Sequence, residues 1–231
     1  MIDHERDLVS VKEATDRLLT AAASWDNAVT AEPSRLPGWT RGHVLAHLAR
    51  NAEALVNVFQ GRPMYPDAAT RDADIERDSG RPLAEQLADV RATAEAFQAV
   101  SAEPADWNRV VELRNGITDN AYRIPFRRWV EVDLHHVDLG LGYELEDLPE
   151  EFVRREVDFL ADRWTGAAGV PPTRIEATDG TGTWTTGAPE GTGTPVTVSG
   201  PAPELLGWLS GRRDGSALKT EGGPLPELPA L

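Results

Sequence analysis

The chain contains no cysteine among its 231 residues. Disulfides and thiolate metal ligands are therefore excluded, and the protein has no thiol of its own to act as a nucleophile. If this protein carries out thiol chemistry, the sulfur must arrive on a small molecule.

Long apolar runs and an excess of basic residues are also lacking. No apolar stretch approaches the roughly 20 residues needed to cross a bilayer, and residues 1–7 lack the basic and apolar segments of a secretory signal. The formal net charge of −15 disfavours binding to nucleic acid or anionic lipid through bulk electrostatics. We therefore expect a cytoplasmic protein without membrane or nucleic-acid partners, in which local arginines bind any anionic substrate.

Helical periodicity dominates the first two thirds of the chain. Apolar residues recur at spacings of three, four and seven, which predicts amphipathic helices over 3–25, 41–60, 82–100 and from Pro125 to about 141. Residues 61–81 are polar and bounded by proline and glycine, which predicts a long loop holding at most a short helical turn. Residues 101–120 read as another connection, with Asn115-Gly116 marking a turn.

The composition changes near residue 148. A fifth helix is predicted over 148–164, after which glycine, proline and threonine dominate. Short strands are predicted over 173–178, 182–186 and 194–199, with a hairpin turn at Asp179-Gly180 and a short helix over 203–209. The sequence therefore predicts two domains, a helical one at 1–147 and a small α+β one at 148–231.

The residues most indicative of chemistry lie on the predicted helix after Pro125. Glu131 and His135 are four apart, so their side chains share one face, and Asp138 lies about 20° from Glu131 at 100° per residue. Apolar residues border this strip, which also contains Arg127 and Arg128. A plain solvated face would not be bordered in this way.

Histidines also occur on the predicted helix 41–60. His47 lies about 100° from the centre of the apolar face, at its border, whereas His43 lies near 140° and points towards solvent. On one helix alone, both are typical of surface or border histidines without a ligand role. Together with Glu131 and His135, one histidine of this helix raises the hypothesis of a site with two imidazoles and one carboxylate, built from two helices.

Two imidazoles and one carboxylate, with further positions open, are typical ligands of a catalytic zinc, and the same set can hold non-haem Fe(II). Asp138 lies one turn beyond His135 and could orient its imidazole by a hydrogen bond. Equally, Asp138 could pair with Arg127 or Arg128. The sequence leaves both alternatives open.

Three motifs carry a resemblance to a known family. They are the segment from Leu36 to Ala52 (LPGWTRGHVLAHLARNA), the segment Arg71–Glu76 (RDADIE), and Ile124-Pro-x-x-Arg128-x-x-Glu131-Val-x-x-His135. In this order the set resembles the mycothiol-dependent maleylpyruvate isomerases, a branch of the DinB-like metal-binding bundles. The resemblance covers nearly the whole chain.

The resemblance implies a DinB-like four-helix bundle that binds zinc through His47, Glu131 and His135, with a C-terminal domain that covers the site. It also implies an arginine from the second domain, which we match to Arg212, with Arg213 as the neighbouring alternative. The expected cofactors are zinc, or another divalent metal, and mycothiol.

The implied reaction isomerises maleylpyruvate to fumarylpyruvate. Zinc would deprotonate the mycothiol thiol, and the thiolate would add to the cis double bond, allow rotation and then be eliminated. Arg212 would hold a substrate carboxylate. Two alternatives stay open: a mycothiol S-transferase acting on another electrophile, and a metal-binding or sensing bundle without turnover.

Overall fold

The computed structural model describes residues 3–103, 106–189 and 191–229. The chain forms two compact units, Met1–Tyr143 and Glu144–Leu231. Where the structure describes it, the first is helical apart from one small hairpin, and the second combines helices with a sheet. This confirms the predicted fold class.

Four helices of the first unit form a bundle. They are α1 (His4–Ala22), α2 (Arg41–Phe59), α4 (Leu83–Ser101) and α5 (Ile124–Asp138), which agrees with the four predicted helices to within a few residues. α1 packs against α4 and α5, and α2 also packs against both. The apolar faces meet in a shared core that includes Val11, Leu18, Leu45, Leu48, Val90, Phe97, Trp129 and Val132.

A further helix, α3 (Ala68–Ser79), occupies most of the segment that the sequence predicted as a loop. The loop prediction was wrong because α3 is held by polar interactions rather than by an apolar face. Asp67 caps its N-terminus by accepting from the Thr70 N–H at 2.7 Å. Near its C-terminus, Asp78 is buried and receives ion pairs from Arg50, Arg77 and Arg81.

α3 lies very close to α2 at Gly42. A Cβ atom added to Gly42 would lie 2.1 Å from the Ser79 carbonyl oxygen and 3.1 Å from that of Thr30. Only a residue without a side chain fits there. This contact sets how closely α3 approaches the helix that carries His47.

A small hairpin lies in the predicted connection 101–120. β1 (Val110–Glu112) pairs antiparallel with β2 (Thr118–Asn120). The turn between them includes Asn115 and Gly116 at φ of 60° and 71°, the left-handed region that these residue types favour. The predicted turn is confirmed, while its two short strands were not predicted.

The second unit holds a four-stranded sheet in the order β4-β3-β5-β6. The elements of this unit are α6 (Glu150–Arg163), β3 (Thr173–Ala177), β4 (Thr183–Thr186), β5 (Val196–Gly200), α7 (Ala202–Leu209) and β6 (Lys219–Glu221). β3 pairs antiparallel with β4 through the predicted turn at Gly180, and parallel with β5. The edge strand β6 was not predicted, because its three residues are polar and exposed.

Among the described residues, no helix is both long and apolar enough to cross a membrane.

The close contact at Gly42 predicts a stability effect. Replacing Gly42 by Ala should lower the free energy of unfolding by about 1–3 kcal/mol, because the new methyl overpacks the α2–α3 contact despite the better helix propensity of alanine. Urea denaturation of the full chain measures this change.

Gly80→Ala is the matched control, since a Cβ there meets nothing within 4 Å and its φ is −88°. We expect Gly80→Ala to change the stability by less than about 1 kcal/mol. Equal effects from the two variants would contradict the proposed contact.

Candidate metal centre and adjoining cavity

The three predicted ligands meet between α2 and α5. The His47 Nε2 lies 2.9 Å from the Glu131 Oε2, and the His135 Nε2 lies 3.3 Å from the same oxygen. The two imidazole rings meet edge to face, with centroids 4.7 Å apart. One ligand atom from each residue lies within 4.8 Å of the other two. The group is therefore compact enough for one ion to contact all three.

His43 lies outside this group. Its Nδ1 accepts a hydrogen bond from the Thr40 N–H at 3.2 Å, which completes a capping box at the start of α2. Its Nε2 lies 3.0 Å from a carboxylate oxygen of Glu76 on α3. His43 is more covered than predicted, with 16% of its side chain exposed, because Glu76 of the unpredicted helix α3 lies against it. His47 is buried.

Asp138 contacts the outer nitrogen of His135. The Asp138 Oδ2 lies 2.8 Å from the His135 Nδ1, and Asp138 is only 1% exposed. A carboxylate in this position keeps the hydrogen on Nδ1, which leaves Nε2 available to a metal and fixes the orientation of the ring. Of the alternatives left open by the sequence, the structure shows the contact with His135.

The electrostatics of the group favour a charged carboxylate. Burial opposes ionisation of Glu131, but hydrogen bonds from His135 and His47 outweigh it and hold the pKa of that carboxyl well below its usual range. Burial lowers the pKa of His47 and so favours its neutral form. Burial also acts against protonation of His135, but Asp138 and Glu131 outweigh it and raise the pKa of that imidazole.

This donor set fits a divalent metal. Two imidazole nitrogens and one carboxylate oxygen, with room for further ligands, match the protein ligands of catalytic zinc sites and also those of non-haem iron. The hydrogen-bonded Asp138 adds the outer partner that such histidines usually have. The residues therefore suit a metal, although the donor set does not single out zinc.

A cavity of about 190 Å³ adjoins the group. It is lined by His47, Asn51, Leu55, Met64, Tyr65, Arg71, Leu113, Arg114, Ile117, Arg127 and Glu131. A second cavity of about 520 Å³ shares the lining residues Met64, Tyr65, Leu113 and Arg114. A small molecule in the first cavity would thus lie against two of the three candidate ligands.

A buried arginine links the two helices one turn from the centre. Arg128 is 0% exposed, and its Nη1 donates to the Asn51 Oδ1 at 2.8 Å. Burial lowers its pKa to about 10, so the side chain remains a cation at neutral pH. The helical pattern predicted Arg128 to lie in the polar strip but indicated no role for it. Arg128 lies three residues before Glu131 on α5, and Asn51 lies four residues after His47 on α2. These spacings place both side chains near the ligands and could have indicated their contact.

The predicted arginines Arg212 and Arg213 lie in the second unit, directly after α7. The Arg213 Nη1 forms 2.6 Å ion pairs with both Glu146 and Glu204. The Arg212 side chain donates to the Ser210 carbonyl oxygen at 3.5 Å, and its backbone N–H donates to the Gly207 carbonyl at 2.8 Å. A role for either residue in a site stays a prediction.

Comparison with known proteins gives consistent results for both units. Residues 11–140 match the family model described as the mycothiol maleylpyruvate isomerase N-terminal domain, and residues 147–230 match the corresponding C-terminal domain model. No curated protein matched the sequence.

Two similar solved structures extend over almost the entire chain. One is a crystal structure of the mycothiol-dependent maleylpyruvate isomerase, 25% identical, with a TM-score of 0.89. The other is a variant with one histidine replaced by alanine, 26% identical, with a TM-score of 0.88. Each alignment covers 99% of this chain and 97% of the other.

The geometry predicts which residues retain a metal. Replacing His47, Glu131 or His135 by Ala should each abolish stoichiometric zinc and weaken its affinity by more than about 100-fold, since loss of an outer partner alone costs 10–100-fold. Elemental analysis after dialysis, together with competition against a zinc-sensitive dye, measures both quantities.

His43→Gln serves as the matched control on the same helix. Glutamine retains the capping box with Thr40, so this variant should fold and bind zinc as the unmodified protein does. If the three alanine variants keep a full equivalent of zinc, the assignment of the centre is wrong.

Proposed function

The chain belongs to the mycothiol maleylpyruvate isomerase family, and from this premise we propose that it converts maleylpyruvate to fumarylpyruvate with mycothiol as a thiol cofactor. The observation that carries the proposal is the convergence of His47, Glu131 and His135 beside a cavity. A cytoplasmic location and the lack of nucleic-acid and membrane partners remain predictions from composition.

His47, Glu131 and His135 would hold the metal, which we take to be zinc. When bound, the metal supplies a Lewis acid that lowers the pKa of a coordinated thiol. Glu131 contributes one negative charge, and the two neutral imidazoles add none, so the centre keeps a net positive charge that favours a thiolate. Asp138 holds the His135 ring in the orientation that presents Nε2.

The absence of cysteine fits this chemistry. A protein without a thiol needs an external one, and mycothiol supplies a nucleophile whose addition to the cis double bond permits rotation before its elimination. The chain's own task is to position the substrate so that only the geometry of the double bond changes. In the proposed reaction the thiol is regenerated, so none is consumed.

Arg212 is the proposed partner of a substrate carboxylate. A guanidinium matches a carboxylate with two parallel hydrogen bonds, and a protein of net charge −15 must provide such positive charge locally. Arg213, which forms ion pairs with Glu146 and Glu204, is the neighbouring alternative.

The proposed reaction predicts turnover without loss of thiol. Zinc-loaded protein given maleylpyruvate and catalytic mycothiol should form fumarylpyruvate while the free thiol concentration stays constant. Absorbance of the two isomers and a thiol-reactive dye measure these quantities.

Other results would favour the alternatives. Loss of thiol without isomerisation would indicate a mycothiol S-transferase acting on an electrophile. The protein could instead bind one equivalent of metal but show no turnover with mycothiol and either maleylpyruvate or another electrophile. That result would indicate a metal-binding or sensing bundle.

Replacing Arg212 by Gln should lower kcat/KM by about 10–100-fold, because a charge-assisted hydrogen bond to the substrate contributes roughly 1.5–3 kcal/mol. Steady-state kinetics with maleylpyruvate measure the change. Arg213→Gln is the control. It should lower the stability of the second unit and have little effect on kcat/KM. The opposite pattern would assign the role to Arg213.

A further inference from the structure

The cavity beside His47 contains a group of cationic and polar side chains that the proposed function has not used. Arg71, Arg114 and Tyr65 all line it, and the Arg71 guanidinium lies 5.9 Å from the centre of the Tyr65 ring. We propose that these three side chains form a carboxylate subsite in the first unit, which binds the substrate carboxylate attached to the cis double bond. The inference rests on the proposed function.

The charges of the lining support an anionic ligand. Among the lining residues, Glu131 is the one carboxylate, and it faces the two imidazoles. Of the three arginines, Arg127 already forms a 2.6 Å ion pair with Asp119. Arg71 and Arg114 therefore give the cavity a local positive charge within an acidic protein, and a cleft of this kind attracts anions.

Arg71 has five N–H donors, more than its present contacts use, and it also hydrogen-bonds the Tyr65 side chain. Its Nη1 pairs with Asp72 at 2.7 Å, and its Nη2 lies 3.3 Å from the His47 Nδ1. Asp72 is 65% exposed, so that ion pair is weak. The Arg71 side chain itself is only 11% exposed and is held at the cavity by these contacts.

The contact with His47 links this subsite to the metal centre. A guanidinium is only a donor, so the His47 Nδ1 must be an acceptor, and the ring hydrogen lies on Nε2, facing Glu131. Coordination through Nε2 requires the hydrogen to be on Nδ1 instead. Two donors would then face each other, and Arg71 needs another acceptor. A ligand carboxylate in the cavity provides it.

The same reasoning makes the two binding events cooperative. Metal binding removes the His47 acceptor from Arg71 and so favours a carboxylate in the cavity, and by linkage the carboxylate must favour the metal equally. The cavity volume of about 190 Å³ is below that of pockets for drug-sized ligands, which limits the ligand to a small acid. Maleylpyruvate has a carboxylate at each end, and the subsite would bind only the one next to the double bond.

Calorimetric titration with maleate tests the subsite without turnover, since maleate has the same cis double bond and adjacent carboxylate. The zinc-loaded full chain should bind maleate at least about tenfold more tightly than the metal-free chain. In Arg71→Gln the affinity of the loaded protein should fall about tenfold, and Arg71→Lys should restore it only in part because lysine lacks the planar fork.

Arg62→Gln is the matched control. Arg62 lines the larger cavity and donates to Asn57, so its replacement removes the same charge outside the subsite. It should leave the maleate affinity unchanged. Circular dichroism and zinc content confirm that each variant is folded and loaded before titration.

Nitrogen-detected NMR of the imidazoles gives a second readout. The His47 Nδ1 should appear as an unprotonated acceptor in the metal-free protein and as N–H after zinc is added. Unchanged maleate affinity in Arg71→Gln would overturn the subsite, since maleate would then be bound by the metal alone. Arg71-dependent maleate binding without isomerase turnover would support the subsite and contradict the proposed function.

Discussion

One carboxylate oxygen, the Glu131 Oε2, lies between imidazole nitrogens from two different helices. Placing a carboxylate here is costly unless hydrogen bonds or a cation compensate for lost solvation. The structure supplies both, since His47 and His135 face Glu131 and the buried cation Arg128 lies one turn away on the same helix. The relative positions of α2 and α5 depend on this balance of charges.

The buried Arg128 is itself only partly satisfied. Its Nη1 donates to Asn51, while its Nε and Nη2 have no hydrogen-bond partner among the described residues. Burying a cation costs solvation, and the nearby Glu131 carboxylate offsets part of that cost. The bundle tolerates this cost because the surrounding helices bury an extensive apolar core.

Whether a helix could be predicted from the sequence depends on how it is stabilised. α2 and α5 have regular apolar faces, so the periodicity predicted both helices. It also predicted that Glu131 and His135 share one face of α5 and that His47 lies at the border of the apolar face of α2. α3 has mainly polar residues with Ile75 as its buried apolar side chain, and it depends on ion pairs to Asp78 that no periodicity reveals. Missing α3 meant that no role was assigned to Arg71, because its contact with His47 requires that helix to pack on α2.

α5 carries polar anchors on opposite sides. Asp133, about 200° around the helix from Glu131, is fully buried and accepts hydrogen bonds from Arg17 and Trp129. A helix held in this way cannot roll about its axis or slip by one residue without breaking one set of bonds. Its rotational setting is therefore encoded by a few polar side chains rather than by the details of the core. Apolar positions of α5 can then vary in side chain without changing that rotational setting.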